Sequence, residues 1–228
     1  MQDIYINMTK MNAVVTADVI GSSKLSFEGE DLVIKAIYDT FGVNSTLRTN
    51  VDESSFTITR GDSIQIELED VTKALQTALL LKAAINKITL LGNRRPSIDV
   101  RIAIGIGEVA GRRTNVNEST GEAYTNSGRT LDSMKKYKRT FAAKTGIDEL
   151  DAELETEFKL LEVIMSGWVI TSAEVLYWTL MGLNENEISE KLNITQSAIN
   201  QRKKTAGWSG IESLLERFED LMRKEVAQ

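Results

Sequence analysis

The sequence predicts an α+β protein: a ferredoxin-like βαββαβ domain followed by an all-α domain. Three observations carry that expectation. Residues 12–108 switch between period-two apolar runs and helical apolar stripes. From about residue 146 the spacing is helical throughout. Within that part, Asn184 to Arg202 reads as two short helices joined by a tight turn, the unit that places a second helix in a DNA major groove.

Taking the elements in order, Asn12 to Ile20 is a mostly apolar, β-branched run and reads as a buried strand, broken by Gly21-Ser22-Ser23. Leu32, Val33, Ile34, Ala36, Ile37 and Phe41 give a helical stripe over about Gly29 to Phe41. Phe56 and Ile58, then Ile64, Ile66 and Leu68, alternate with polar residues across Arg60-Gly61-Asp62. That is a β-hairpin with a glycine at its bend. Residues 71–91 form an apolar helix through Leu75, Ala78, Leu79, Lys82, Ile85 and Ile88. Ile98, Val100, Ile102, Ile104 and Ile106 alternate as a strand that ends in Gly105-Ile106-Gly107-Glu108. The resulting order, β-α-β-β-α-β, is the ferredoxin-like arrangement. A polar loop (111–121) and a helix near 122–137 complete a first domain of residues 1–145.

Ile147, Leu150, Leu154, Phe158, Leu161 and Met165 sit at helical spacing, with an acidic outer face of Asp148, Glu149, Asp151, Glu153 and Glu155. Residues 146–169 are therefore expected to be a connecting helix, and 170–228 a separate helix-turn-helix domain. Three cap-like starts mark helices there: Thr171…Glu174, Asn184…Glu187 and Ser209…Glu212. In the central block Asn184 and Glu187 form a capping box, Ile188 and Ile199 point inward, Asn193 takes the turn, and Thr195 caps the next helix. Gln196, Ser197, Asn200, Gln201, Lys203 and Lys204 then face out, with Arg202 in the same cluster. Amides suit adenine edges, and lysines suit phosphates or guanine. The last helix carries Ile211, Leu214, Leu215, Phe218, Leu221 and Met222 on one stripe, which either packs on the other helices or forms a dimer contact.

Composition narrows the chemistry. The 228 residues are 42% hydrophobic and 26% charged, with no cysteine and no histidine. Thiolate nucleophiles, zinc-finger sites and a Ser-His-Asp triad are excluded. Catalysis would run on carboxylates, Lys, Arg, Tyr or hydroxyls, with a hard cation held by oxygen ligands. No apolar run is long enough to span a bilayer and no secretion signal opens the sequence, so a cytoplasmic protein is expected. Net charge is −6, and residues 157–228 hold 8 Lys and Arg against 11 Asp and Glu. DNA binding by one copy would be weak and salt-dependent, and a homodimer with two half-sites is expected.

Asp18, near the end of the first strand, and Asp62, at the hairpin bend, are candidate metal ligands. Two carboxylates on neighbouring strands would hold Mg²⁺ and through it a triphosphate. The plainer reading, which spacing favours, makes both of them turn residues. Gly105-Ile106-Gly107 lacks the third glycine of a dinucleotide fingerprint, and no apolar helix follows it directly. The basic run Lys135 to Arg139 reads as a solvated helix end.

Ala17-Asp18-Val19-Ile20-Gly21-Ser22-Ser23, Phe56 to Asp62, Arg101 to Glu108, Gly121-Glu122-Ala123-Tyr124 and Ile188 to Trp208 resemble, in order, the blocks of the SatD family. That resemblance covers nearly the whole chain and implies a regulatory or DNA-binding protein. More distantly, the first domain is similar to the class III nucleotidyl cyclase domain. The similarity implies Mg²⁺ or Mn²⁺ on Asp18 and Asp62. It also implies a nucleotide ligand, Arg129 stabilising phosphate charge across a dimer interface, and Asn126 beside it. Two departures stand out: Thr125 occupies the expected asparagine position, with Asn126 one place later, and Thr59-Arg60 replaces the base-selecting lysine. The expected function is a dimeric DNA-binding regulator with a nucleotide-binding or dimerising first domain. A metal-dependent nucleotidyl cyclase and a protein-interaction module are the alternatives.

Overall fold

A strand buried on both faces belongs in the middle of a sheet, and β1 (Met11–Val19) is such a strand. The computed structural model describes residues 11–42, 55–59, 62–90, 92–111 and 120–226. It shows a mixed α/β chain built on a mainly antiparallel sheet. β1 lies between β3 (Ser63–Leu68) and β4 (Val100–Gly111), antiparallel to both, and β2 (Ser55–Thr59) pairs antiparallel with β3. The order is β2-β3-β1-β4, continued by the two-residue β5 (Thr120–Gly121) and by β6 (Phe141–Lys144), which runs parallel to β4. Alternation read from the sequence places β1 to β4 correctly. The short β6 has too few residues to show a period.

Side chains divide by parity. Ala13, Val15, Ala17 and Val19 of β1, with Ile64, Ile66, Ile102, Ile104 and Ile106, share a core with α1 (Phe27–Phe41) and α2 (Ala74–Asn86). Ser26 caps α1 by accepting from the Gly29 amide at 3.2 Å. The even-numbered β1 residues face α3 (Glu122–Tyr137) instead. There Thr16 Oγ1 donates to Ser127 Oγ at 2.9 Å, and Ala103, Leu131, Met134 and Ala142 make a small second cluster. Gly105 and Gly107 lie on this face. A Cβ at Gly105 would stand 2.2 Å from the Ala123 carbonyl and 2.3 Å from the Ser127 amide nitrogen. The Gly-Ile-Gly run is thus the contact over which α3 approaches β4.

α4 (Asp148–Ser166) docks on β6, burying Leu150, Leu154, Phe158 and Leu161. Its start is tied down by Asp151, which accepts from the Thr145 amide at 2.6 Å and from Lys144 Nζ at 2.5 Å. α5 (Ile170–Leu180), α6 (Glu185–Leu192), α7 (Gln196–Ala206) and α8 (Trp208–Glu225) follow. The core is continuous from the sheet into these helices. Phe158 lies 5.1 Å from Phe141 of β6 and 6.4 Å from Phe218 of α8, ring centre to ring centre. Gln76 donates to the Leu180 carbonyl at 3.1 Å, and the Thr40 and Tyr177 hydroxyls are 3.2 Å apart.

Helix starts are where local sequence misled most. Only Asn184…Glu187 is a capping box as expected, with Asn184 Oδ1 accepting from Asn186 and Glu187 amides and Glu187 reaching back to the Asn184 amide at 2.7 Å. α5 instead starts after Val169, whose amide donates to Ser172 Oγ, and α8 starts from Gly207. Thr171 and Ser209 lie inside helices. The α8 stripe packs within its own chain: Ile211, Phe218, Leu221 and Met222 join the common core. Among the described residues, no helix is long and apolar enough to cross a membrane.

Candidate functional site

Two regions gather the residues that the sequence singled out. The first is the sheet end where β1 finishes. Asp18 sits on the α3 face, opposite Arg101 in the β1–β4 register and opposite Ser63 in the β1–β3 register. Its Oδ1 is 3.4 Å from Arg101 Nε and its Oδ2 is 3.2 Å from Lys135 Nζ, with both Asp18 and Arg101 largely buried. Asp62 follows the hairpin bend, whose Arg60 and Gly61 lie outside the described residues. The Asp62 carbonyl accepts from the Val19 amide at 3.0 Å, and its Oδ2 accepts from Ser22 Oγ at 2.8 Å. The backbone therefore brings the two aspartates to one strand end, while each carboxylate has its own partners.

Whether they fit a divalent cation turns on those partners. In favour, Asp18 Oδ1 is buried and accepts no hydrogen bond. Against, two protein cations already neutralise that carboxylate, and Asp62 is turned to a hydroxyl. Among the described residues no group of three or more carboxylates converges on one point. As arranged, the pair does not fit a metal ion.

Asn126 and Arg129, three residues apart on α3, have different surroundings. Asn126 Nδ2 donates to the Ile106 carbonyl of β4 at 2.8 Å. Arg129 is exposed, two residues from the buried Ser127 and so on the far side of the helix. Sequence reasoning passed over Lys135 and Arg101. Lys135 belongs to a run whose composition suggests a solvated helix end, yet it reaches Asp18. Arg139 of that run is held by Glu162 at 2.6 Å and Glu155 at 2.5 Å, and donates to the Phe141 carbonyl. The signal was there in one case: Arg101 is the single charge on the α3-facing positions 101, 103, 105 and 107 of β4.

The second region is the three-helix group α5–α6–α7. Val175, Ile188 and Ile199 form its own buried cluster, each contributing about 1.5–3 kcal/mol by burial. Asn193 takes the left-handed conformation between α6 and α7, φ 50°. Ser189 Oγ donates to the Ile194 carbonyl across the turn at 2.5 Å, and Thr195 caps α7 by accepting from the Ala198 amide at 3.2 Å. The inward and turn residues are where the sequence put them.

The outward set divides. Gln196, Ser197, Asn200, Gln201 and Lys204 are exposed. Gln196 Nε2 donates to Asn186 Oδ1 at 2.5 Å, so its amide lies across the mouth of the α6–α7 angle. Arg202 and Lys203, expected among the outward cations, are half-buried. Arg202 is 3.6 Å from Glu174 of α5 and Lys203 is 3.1 Å from Glu185 of α6. These two brace α7 against its neighbours, and of the three cations Lys204 is the exposed one. Beneath them α5 turns Tyr177 and Trp178 toward lysines: Lys87 Nζ is 4.4 Å from the Tyr177 ring centre and Lys191 Nζ is 4.2 Å from that of Trp178. Burial lowers the Lys87 pKa, opposed by the nearby Glu174.

No family model matches the sequence, so the SatD resemblance has no such match behind it, and no curated protein matches either. Among solved structures the chain is similar to the active GGEEF domain of a diguanylate cyclase from Vibrio cholerae. That match has a TM-score of 0.39 and 13% identity, over 60% of this chain and 83% of that one. It is also similar to the guanylyl cyclase Cya2, with TM-score 0.33 and 17% identity, over 54% of this chain and 70% of that one. Both neighbours are cyclase domains. At these TM-scores and identities they carry no argument about this chain's activity.

Proposed function

We propose that α5–α7 is a helix-turn-helix that lays α7 in a DNA major groove, and that the sheet half is a ferredoxin-like, cyclase-related module that binds a nucleotide or pairs two copies. On this reading the chain divides as 1–145, a connecting helix over 146–169, and 170–228, and it acts in the cytoplasm as a dimeric regulator. One observation carries the DNA reading. α7 is fixed by buried Ile199, a left-handed turn and a capped start, yet it shows water a row of amides and hydroxyls at Gln196, Ser197, Asn200 and Gln201. Such groups read base edges, while Lys204 reaches phosphate. What supports the ferredoxin-like reading is the order β2-β3-β1-β4 with antiparallel neighbours throughout.

The test is a fluorescence-anisotropy titration of genomic fragments at low salt. The Asn200→Ala/Gln201→Ala variant loses tenfold or more in affinity, since each lost base contact costs about 1–3 kcal/mol. Unchanged binding by that variant overturns the assignment.

A second reading is a metal-dependent nucleotidyl cyclase or related phosphoryl-transfer enzyme, with Asp18 and Asp62 on the metal in an arrangement other than the present one and Arg129 acting across a dimer interface; the observation in its favour is the buried Asp18 oxygen that accepts no hydrogen bond. It requires Lys135 and Ser22 to release the two carboxylates. Incubation with each nucleoside triphosphate and Mn²⁺ decides it: cyclic product that Asp18→Asn abolishes establishes the enzyme, and no product removes it.

A further inference from the structure

We propose that Lys87 and Lys191, which meet on Trp178 of α5, bind a phosphate dianion. The argument starts from charge pairing. Among the described residues, every other lysine or arginine that is buried or half-buried has a carboxylate partner. Lys73 pairs with Glu219, Lys82 with Asp99, Arg101 with Asp18 and Arg139 with Glu162. Lys144 pairs with Asp151, Arg202 with Glu174 and Lys203 with Glu185. Half-buried Lys87 forms neither an ion pair nor a side-chain hydrogen bond. It is the exception.

Lys87 closes α2, and its Nζ lies 4.4 Å from the Tyr177 ring centre and 6.0 Å from that of Trp178. Lys191, in the last turn of α6, holds its Nζ 4.2 Å from the Trp178 ring centre and also lacks a carboxylate partner. Glu187, one turn earlier on α6, is spent on the Asn184 amide. The remaining charges that act on Lys87 are Glu174, Asp39 and Lys35. Asp39 is paired with Lys35 at 3.0 Å, and Glu174 with Arg202 at 3.6 Å. Two ammonium groups are thus left without a counter-charge beside one indole, in a chain of net charge −6.

The aromatic faces attract an ammonium but accept none of its three N–H bonds in the way an oxygen does. The cost falls on Lys87: burial lowers its pKa, Glu174 and Asp39 oppose that, and Lys35 and Lys191 add to it. An oxyanion between the two lysines supplies acceptors and a counter-charge where water is partly excluded. One carboxylate would neutralise one of the two. A phosphate group, with about two negative charges at pH 7, matches both. Trp178 is half-buried and Lys191 exposed, so the ligand reaches the site from solvent. The site lies where α2 of the sheet half meets α5 and α6, and it stands without the DNA reading.

Isothermal titration calorimetry of the full chain at low ionic strength tests it, with inorganic phosphate, adenosine monophosphate and adenosine as probes. Wild type binds the first two and not adenosine. Lys87→Gln/Lys191→Gln loses about tenfold or more in affinity with an unchanged circular dichroism spectrum. Lys136→Gln, which removes an exposed cation at the end of α3, stays within about twofold of wild type. Equal affinity for phosphate and the monophosphate means that the phosphate group alone is recognised, and tighter binding of the monophosphate means that its nucleoside adds contacts. A second measurement needs no substitution. Acetic anhydride labelling read by peptide mass spectrometry shows Lys87 protected by saturating phosphate and Lys136 not. A wild type that binds neither phosphate probe at millimolar concentration, a double variant that binds as wild type does, or a Lys87 labelled equally with and without phosphate overturns the proposal. None of these outcomes depends on whether α7 binds DNA, which the Asn200→Ala/Gln201→Ala variant decides separately.

Discussion

The sheet end and the α7 face hold similar residue types and use them in opposite ways. At the sheet end Asp18, Asp62 and Asn126 are each consumed by a neighbour: Arg101 and Lys135, Ser22, and the Ile106 carbonyl. On α7 the amides and hydroxyls of Ser197, Asn200 and Gln201 face water. The difference follows from burial. A polar group between a sheet and a covering helix must find a partner or cost about 1–3 kcal/mol, so proteins supply one. A polar group on the outer face of a short surface helix is under no such demand. Chemical capacity at a strand end is therefore a weaker sign of function than the same capacity left unspent on a rigid surface.

That comparison assumes that the two regions belong to one folding unit, and Phe158→Ala tests the assumption most severely. The ring is fully buried between Phe141 of β6 and Phe218 of α8. Its removal costs about 3–5 kcal/mol. Urea unfolding followed by circular dichroism and by tryptophan fluorescence gives one coincident transition at a lower midpoint. Two separated transitions would mean that sheet and helices are independent units that merely touch.

Next in size is Gly105→Ala, which attacks only the sheet side. The new methyl meets backbone atoms of α3 at 2.2 and 2.3 Å, where no side chain can swing away. Overpacking of this kind costs about 1–3 kcal/mol. The loss appears as a lower urea midpoint, while DNA affinity measured well below that midpoint is unchanged. A neutral Gly105→Ala would mean that α3 is not held against β4 at all.

How much of this was legible follows from what local sequence encodes. Strands β1, β3 and β4 were readable because each buries one or both faces over many residues, and period-two alternation records that directly. The α6–α7 turn was readable because its caps are local: Asn184, Asn193 and Thr195 act on groups within three residues. Val169 and Gly207 as helix boundaries were not. Gly207 combines a local need, a left-handed backbone at φ 73°, with a distant one, Ile164, 43 positions earlier, packing where a side chain would stand. The site residues failed for the same reason. That Lys135 would meet Asp18, and that Glu174 and Glu185 would claim Arg202 and Lys203, depends on contacts between elements that no window of sequence contains.

Asn184→Ala sharpens the helical side of the comparison. It removes the acceptor for two amides at the start of α6 and the partner of the Glu187 box. The expected loss is about 1 kcal/mol. Because α6 carries the turn that aims α7, DNA affinity should fall with it, while Asn184→Ser, which restores the cap, recovers most of both. Recovery of stability without recovery of binding would assign Asn184 a direct contact instead.

The smallest effect comes from the group that breaks the helical side's rule. Glu157 of α4 points inward beside Phe158, its Oε2 is buried without a hydrogen bond, and burial together with repulsion from Glu153 raises its pKa against the pull of Arg217. A carboxyl whose folded pKa lies above its unfolded value favours the fold while protonated. That contribution is complete below the unfolded value, about 4.3, and is lost as pH rises through the folded one. At pH 7 the ionised group is a small net cost, softened by solvent. Glu157→Gln should therefore raise the urea midpoint at pH 7 by an amount worth about 0.5 kcal/mol or less. At pH 4, where wild type is largely protonated there, the two midpoints should converge. A Glu157→Gln protein that is less stable at pH 7 would show that the charge is bound by Arg217 more tightly than burial opposes it, and that α4, like the sheet end, spends its inward carboxylate on a partner.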